Sequence, residues 1–179
     1  MIAWLGLLMI VMTWLTGWYL LTRWRNADLI SISSHAASSR SAALLFATVL
    51  MTCGTLLYWW LGYWLGPRLD LGPAYYVILI AAYCCQSVAA LVPDKTGWRR
   101  SVHKWGAWTM AYLFLPLAWL VATAPSASSF ARVLCVLLAA YMTVGVILVM
   151  ARQIGARFLF FQASYIVALQ LIILTAAYM

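Results

Sequence analysis

The sequence predicts an all-α protein, a polytopic bundle of six transmembrane helices, and three observations carry that prediction. Hydrophobic residues make up 67% of the chain and charged residues only 8%, whereas a soluble domain carries about 25% charged residues. The apolar residues are gathered into six unbroken runs, each close to the roughly 20 residues that cross a bilayer as a helix. The runs are apolar on nearly every side. A transmembrane barrel would show short alternating segments instead, and an open sheet would leave backbone groups unpaired in hydrocarbon.

The first run covers 2–22 and ends at Arg23, Trp24 and Arg25. No basic stretch precedes it and no small-residue cleavage site follows directly, so it is expected to be a retained helix and not a signal peptide. Residues 26–41 are polar and rich in serine, which fits a loop or a short helix on the membrane surface. The second run, 42–65, is expected to stop at Gly66-Pro67, because proline lacks the N–H that continues a helix. Pro73 opens the third run, 74–93. Asp94 to Lys104 is the most polar stretch and is expected to be a loop. The fourth run, 105–124, holds Pro116, where a kink is expected. The fifth and sixth, 131–151 and 158–178, are joined by a tight basic turn. One transmembrane domain covers 1–179, with no space for a soluble one.

Charge sets an expected orientation. Loops one, three and five hold nine of the eleven Lys and Arg residues, and loops two and four hold Arg68 and Arg132. Cytoplasmic loops collect such residues, so both termini are expected outside, in a bacterial plasma membrane. Tyr and Trp crowd the ends of the runs, as interfacial anchors do. The net charge of +8 is therefore a topology signal. Nucleic-acid binding would need a solvated basic face, which is not expected of a chain with so little outside the bilayer.

No charged residue lies well inside a run, which argues against ion-coupled transport through an intramembrane carboxylate, lysine or histidine. The polar residues within runs are Gln86, Ser87, Thr109, Thr143, Gln162, Ser164 and Gln170. Gln162 and Gln170 are eight apart and share a helix face. Such groups either hydrogen-bond between helices or line a pocket for a lipid headgroup or small ligand. Cys53, Cys84, Cys85 and Cys135 sit in apolar runs without a CxxC or Cys/His spacing, so no metal site is expected. Two histidines, one of them in a polar loop, are a poor pair for haem, and no cofactor is expected. No HExxH or GxSxG pattern appears, and no catalytic residue is assigned.

A polar site is expected on the face of loops one and three, from Asp28, Arg40, Asp94, Arg99, Arg100 and His103. Arg99 and Arg100 would hold a headgroup phosphate there. The stretch from Ala90 to Leu115 resembles the middle of the six-helix membrane proteins of the Frag/DRAM/Sfk group, at Pro93, Asp94, His103 and Gly106. That resemblance implies a membrane location, links to lipid and trafficking processes among eukaryotic members, and an N-terminus inside, opposite to the charge count. The functional expectation is a non-enzymatic membrane protein that binds membrane lipids or packs as a homo-oligomer or a subunit of a larger complex. The alternative is a lipid-headgroup enzyme or small-molecule transporter using Asp94 and His103.

Overall fold

A computed structural model of the chain describes residues 2–24, 31–151 and 158–179, so Asp28 lies outside the described residues. The helices are α1 (Ile2–Arg23), α2 (Ile32–Ala36), α3 (Arg40–Arg68), α4 (Pro73–Leu91), α5 (Trp98–Ala122), α6 (Ser129–Met150) and α7 (Phe158–Tyr178). All but α2 are long and apolar enough to cross a membrane, and no strand occurs among the described residues. The six long helices run alternately up and down. One end of the bundle, here the basic face, carries α2, the 92–97 turn and the start of α5.

The outer surface is apolar in continuous stripes. On α1, Trp4, Leu8, Leu15 and Trp18 are all more than half exposed; on α6 so are Phe130, Val133, Leu137 and Val144. Soluble monomers do not expose apolar faces of this extent. The chain is an integral membrane protein whose perimeter is solvated by lipid.

Lipid tails are as apolar as leucine, so helices associate in a bilayer by close packing and hydrogen bonds. α4 and α5 form the most intimate pair. A Cβ on Gly106 of α5 would lie 3.0 Å from the Cys85 carbonyl oxygen of α4, so the two backbones approach closely only because glycine stands there. α1 packs on α3, where a Cβ on Gly6 would lie 2.7 Å from the ring of the fully buried Trp60. α6 joins α5 and α7.

Two local structures differ from the sequence expectation, each for a physical reason. α3 does not stop at Gly66-Pro67 but continues to Arg68 through a π-helical turn, Leu61–Leu65. The wider turn eases the clash that the Pro67 ring would make with the carbonyl four residues back, and Tyr75 donates to the Leu61 carbonyl at 3.1 Å. The serine-rich segment, expected as a loop or a short helix, contains the short helix α2, begun by a capping box: Ser31 Oγ accepts from the Ser34 N–H at 3.1 Å, and Ser34 Oγ accepts from the Ser31 N–H at 3.0 Å. Such a cap stabilises a helix start by about 1 kcal/mol.

The second difference bears on the site. α5 begins at Trp98, not Trp105, directly after Gly97 at φ +70°, a backbone region open to glycine. The stretch read as loop is non-helical only from Asp94 to Gly97, and its remainder, Trp98 to Lys104, is two turns of helix. Arg99, Arg100 and Lys104 are exposed, whereas His103 is only 4% exposed. α5 then runs through Pro116 without a break. At the opposite end Arg132 of α6 donates to the carbonyls of Ala124, Pro125 and Ala127 at 3.0–3.4 Å, so this cation clamps the α5–α6 turn.

Candidate functional site

The expected site residues separate into two environments. Arg100 Nε stands 3.7 Å from Asp94 Oδ1, an ion pair too long to be a hydrogen bond, and that oxygen is buried with no hydrogen-bond partner. Arg99 is exposed, its guanidinium 5.7 Å from the Trp98 ring centroid. Arg40 is exposed at the first turn of α3. Asp94 is largely buried in the α4–α5 turn, and His103 is the one of the described site residues that lines the interior cavity.

His103 lines a cavity of about 190 Å³ where α1, α2, α3, α4, α5 and α7 converge. Its Nδ1 lies 2.7 Å from the carbonyl oxygen of Val92. A bond to a carbonyl requires the proton on Nδ1, which leaves Nε2 of the neutral ring as an acceptor. Nε2 has no partner among the described residues. His35 makes the same kind of bond, from Nδ1 to the Ser31 carbonyl at 2.8 Å, but it serves α2 and does not reach the cavity.

Three glutamines complete the polar lining. Gln162 Oε1 accepts the Ile32 N–H at 3.2 Å, tying α7 to the start of α2. Gln170 Oε1 accepts the indole N–H of Trp14, tying α7 to α1. Gln86 donates to the Leu50 carbonyl at 3.2 Å. Its amide occupies the space that a Cβ on Gly54 would need, so this glycine makes room for a cross-helix hydrogen bond. Each glutamine keeps hydrogen-bonding capacity beyond these contacts. Tyr58 also lines the cavity, and its buried hydroxyl has no partner.

The lining has a direction. Ser33, Gln86, His103 and Gln162 lie toward the basic face, and Leu61, Leu117 and Ile173 lie toward the other. From His103 to Leu117 along α5 is about 21 Å at the rise of an α-helix. Asp, Glu, Lys and Arg do not occur in the lining among the described residues, and most of it is aliphatic or aromatic. The space is therefore a long, mainly apolar shaft with Ser33, Gln86, His103 and Gln162 toward one end and further polar groups, Tyr58 and Gln170 among them, deeper along it.

Such an arrangement can orient a polar head and sheath a hydrocarbon chain. It offers neither a carboxylate for acid–base work nor a counter-charge for a phosphate. Among the described residues no three His, Cys, Asp or Glu side chains come together as a metal-binding group.

The sequence singled out Gln86, Gln162 and Gln170, and all three line the cavity. It missed Trp14, Gly17, Gly54 and Tyr58. A signal for the first two existed: Thr13, Thr16, Gly17 and Leu20 recur on one face of α1. None existed for Gly54, whose importance depends on a partner 32 residues away.

Comparison with protein-family models, with characterised proteins and with solved structures found no match.

Proposed function

We propose that this is a non-enzymatic, lipid-binding membrane protein whose ligand is a neutral amphiphile, an uncharged hydroxyl- or carbonyl-bearing head on a long apolar chain. The observation that carries this reading is the lining of the central cavity: neutral donors and acceptors concentrated toward the basic-face end, a mainly apolar shaft beyond in which Gln170 is bonded to Trp14, and no Asp, Glu, Lys or Arg among the described residues. The head contacts His103, Gln86 and Gln162, and the chain runs toward Leu61 and Ile173. Arg40, Arg99, Arg100 and Lys104 stand outside the cavity and meet the phosphates of the surrounding leaflet. This replaces the phosphate-binding role first expected of Arg99 and Arg100 within a site. The basic face is assigned to the cytoplasm by the nine-to-two distribution of Lys and Arg.

The test is photolabelling of the purified protein in phosphatidylcholine vesicles with a diazirine-bearing hexadecanol. Adducts are expected on cavity residues such as Leu57, Met110 and Leu169, and an excess of unlabelled hexadecanol should remove them. Adducts confined to lipid-facing residues such as Leu8, Leu137 and Val144 would falsify the assignment.

A further inference from the structure

α7 presents two separate stripes to two separate spaces. Gln162, Ile166, Leu169, Gln170 and Ile173 line the central cavity. Phe160, Ala163, Ser164, Val167 and Leu171, at the same helical spacing, line an open groove of about 450 Å³ on the outside of the bundle, bordered by α6 and by Trp14 of α1. Each stripe covers about 16 Å of α7 at the rise of an α-helix. Cavity and groove thus run side by side at the same depth, and among the described residues Trp14 is the one side chain that lines both.

The seam between α1 and α7 is built from long side chains, not from close backbone packing. Trp14 reaches Gln170, Tyr178 donates to the Ala3 carbonyl, and the Trp4 and Tyr178 rings stack at 5.5 Å. The last two contacts lie near one end of the bundle, and the Trp14–Gln170 bond spans its middle. Among the described residues that line the groove, the hydroxyl donors are already engaged. Tyr141 donates to Ser164 Oγ at 2.7 Å, and Ser164 donates to the Phe161 carbonyl at 3.0 Å. What fits it is a hydrocarbon chain, and its continuity with the cavity through one indole gives that chain somewhere to go.

We infer that the α1–α7 seam is a lateral doorway. The long-chain neutral amphiphile comes from the bilayer, lays its chain in the groove and passes into the cavity when the Trp14 indole swings away from Gln170. Gln170 is the latch, because its carbonyl oxygen holds the indole N–H while the door is shut. The ligand therefore never crosses water. This inference rests on the cavity being the ligand site.

The experiment follows loading over time. Proteoliposomes are rapidly mixed with donor vesicles carrying the diazirine-bearing hexadecanol and flashed at intervals, and adducts on cavity residues are counted by mass spectrometry. Ala163→Trp and Leu171→Trp fill the groove from its two ends without touching the cavity. Each is expected to slow cavity loading by about tenfold, a barrier increase near 1.4 kcal/mol, while final occupancy stays at the wild-type level. Val133→Trp, on the lipid face of α6, should load at the wild-type rate, and Trp14→Ala should load faster. Wild-type rates in both groove variants, with normal final occupancy, overturn the doorway and leave the cavity reading standing. Wild-type protein that never acquires cavity adducts overturns both.

Discussion

His103 on α5 is bonded to the carbonyl of Val92 at 2.7 Å, so one imidazole closes the α4–α5 turn and also lines the central cavity. The two roles can be separated. Asparagine can still donate to the Val92 carbonyl from a shorter side chain, whereas alanine leaves that carbonyl without its donor. His103→Asn is expected to keep thermal stability within about 1 kcal/mol of wild type, and His103→Ala to lose more, in line with the 1–3 kcal/mol cost of an orphaned buried group. Both should weaken retention of the photoactivatable hexadecanol. Equal stability loss with undiminished labelling would mean that the histidine is structural only.

Asp94 gives the opposite expectation. Its side chain is 11% exposed with Oδ1 buried and unpartnered, and Arg100, 55% exposed, lies 3.7 Å away, so solvent at the arginine end weakens the attraction and asparagine removes the cost of holding a charge there. Asp94→Asn should therefore shift the melting temperature little and leave hexadecanol labelling unchanged. A collapse of labelling in this variant, measured beside normal folding by circular dichroism, would revive a headgroup site built on the carboxylate.

Gly54 and Gln86 act as one unit across α3 and α4. Gly54→Ala places a methyl where the Gln86 amide sits and must push it off the Leu50 carbonyl. A cross-helix hydrogen bond in a membrane is worth about 0.6 kcal/mol, up to about 1.7, and strain adds to that, so a loss of about 1–2 kcal/mol is expected. Gln86→Ala relieves the clash. The double variant should be no less stable than Gln86→Ala alone in a denaturation cycle, and simple additivity of the two losses would refute the coupling.

How much of this was legible follows from what each residue depends on. The six spans were readable because hydrophobic content over about 20 residues is a local property. The start of α5 was not, because its first two turns carry Arg99, Arg100 and Lys104 on the outside, and a helix that projects beyond hydrocarbon looks like a loop to hydropathy. Gln162 and Gln170 were readable as one face from their spacing. That Gln162 meets Ile32, 130 positions away, and that His103 points inward while its neighbours point outward, are tertiary facts with no local trace. Pro67 misled in a different way: its missing N–H predicts a stop, but a π-helical turn just before it lets the helix run on.

The orientation is testable at two exposed positions. The four native cysteines all lie within helices. Ser126→Cys, in the α5–α6 turn, should react with a membrane-impermeant maleimide in intact cells. Thr96→Cys, before α5, should react only after the membrane is permeabilised. The reverse pattern would place the basic face outside, the orientation implied by the Frag/DRAM/Sfk resemblance.

Gly17 offers the sharpest separation of fold from function. It lines the cavity, and a Cβ built on it meets nothing within 4 Å. Glycine within a helix is about 0.8–1.0 kcal/mol less favourable than alanine, so Gly17→Ala should leave stability unchanged or raise it by up to about 1 kcal/mol. An open cavity-lining glycine of this kind has no packing reason to stay small, which is what a space kept for a ligand requires. Gly17→Phe uses the same opening to fill the shaft from α1. It is expected to fold, with a melting temperature close to wild type, and to lose most hexadecanol labelling of Leu57, Met110 and Leu169. A well-folded Gly17→Phe protein that labels like wild type would show that the shaft is not where the amphiphile resides.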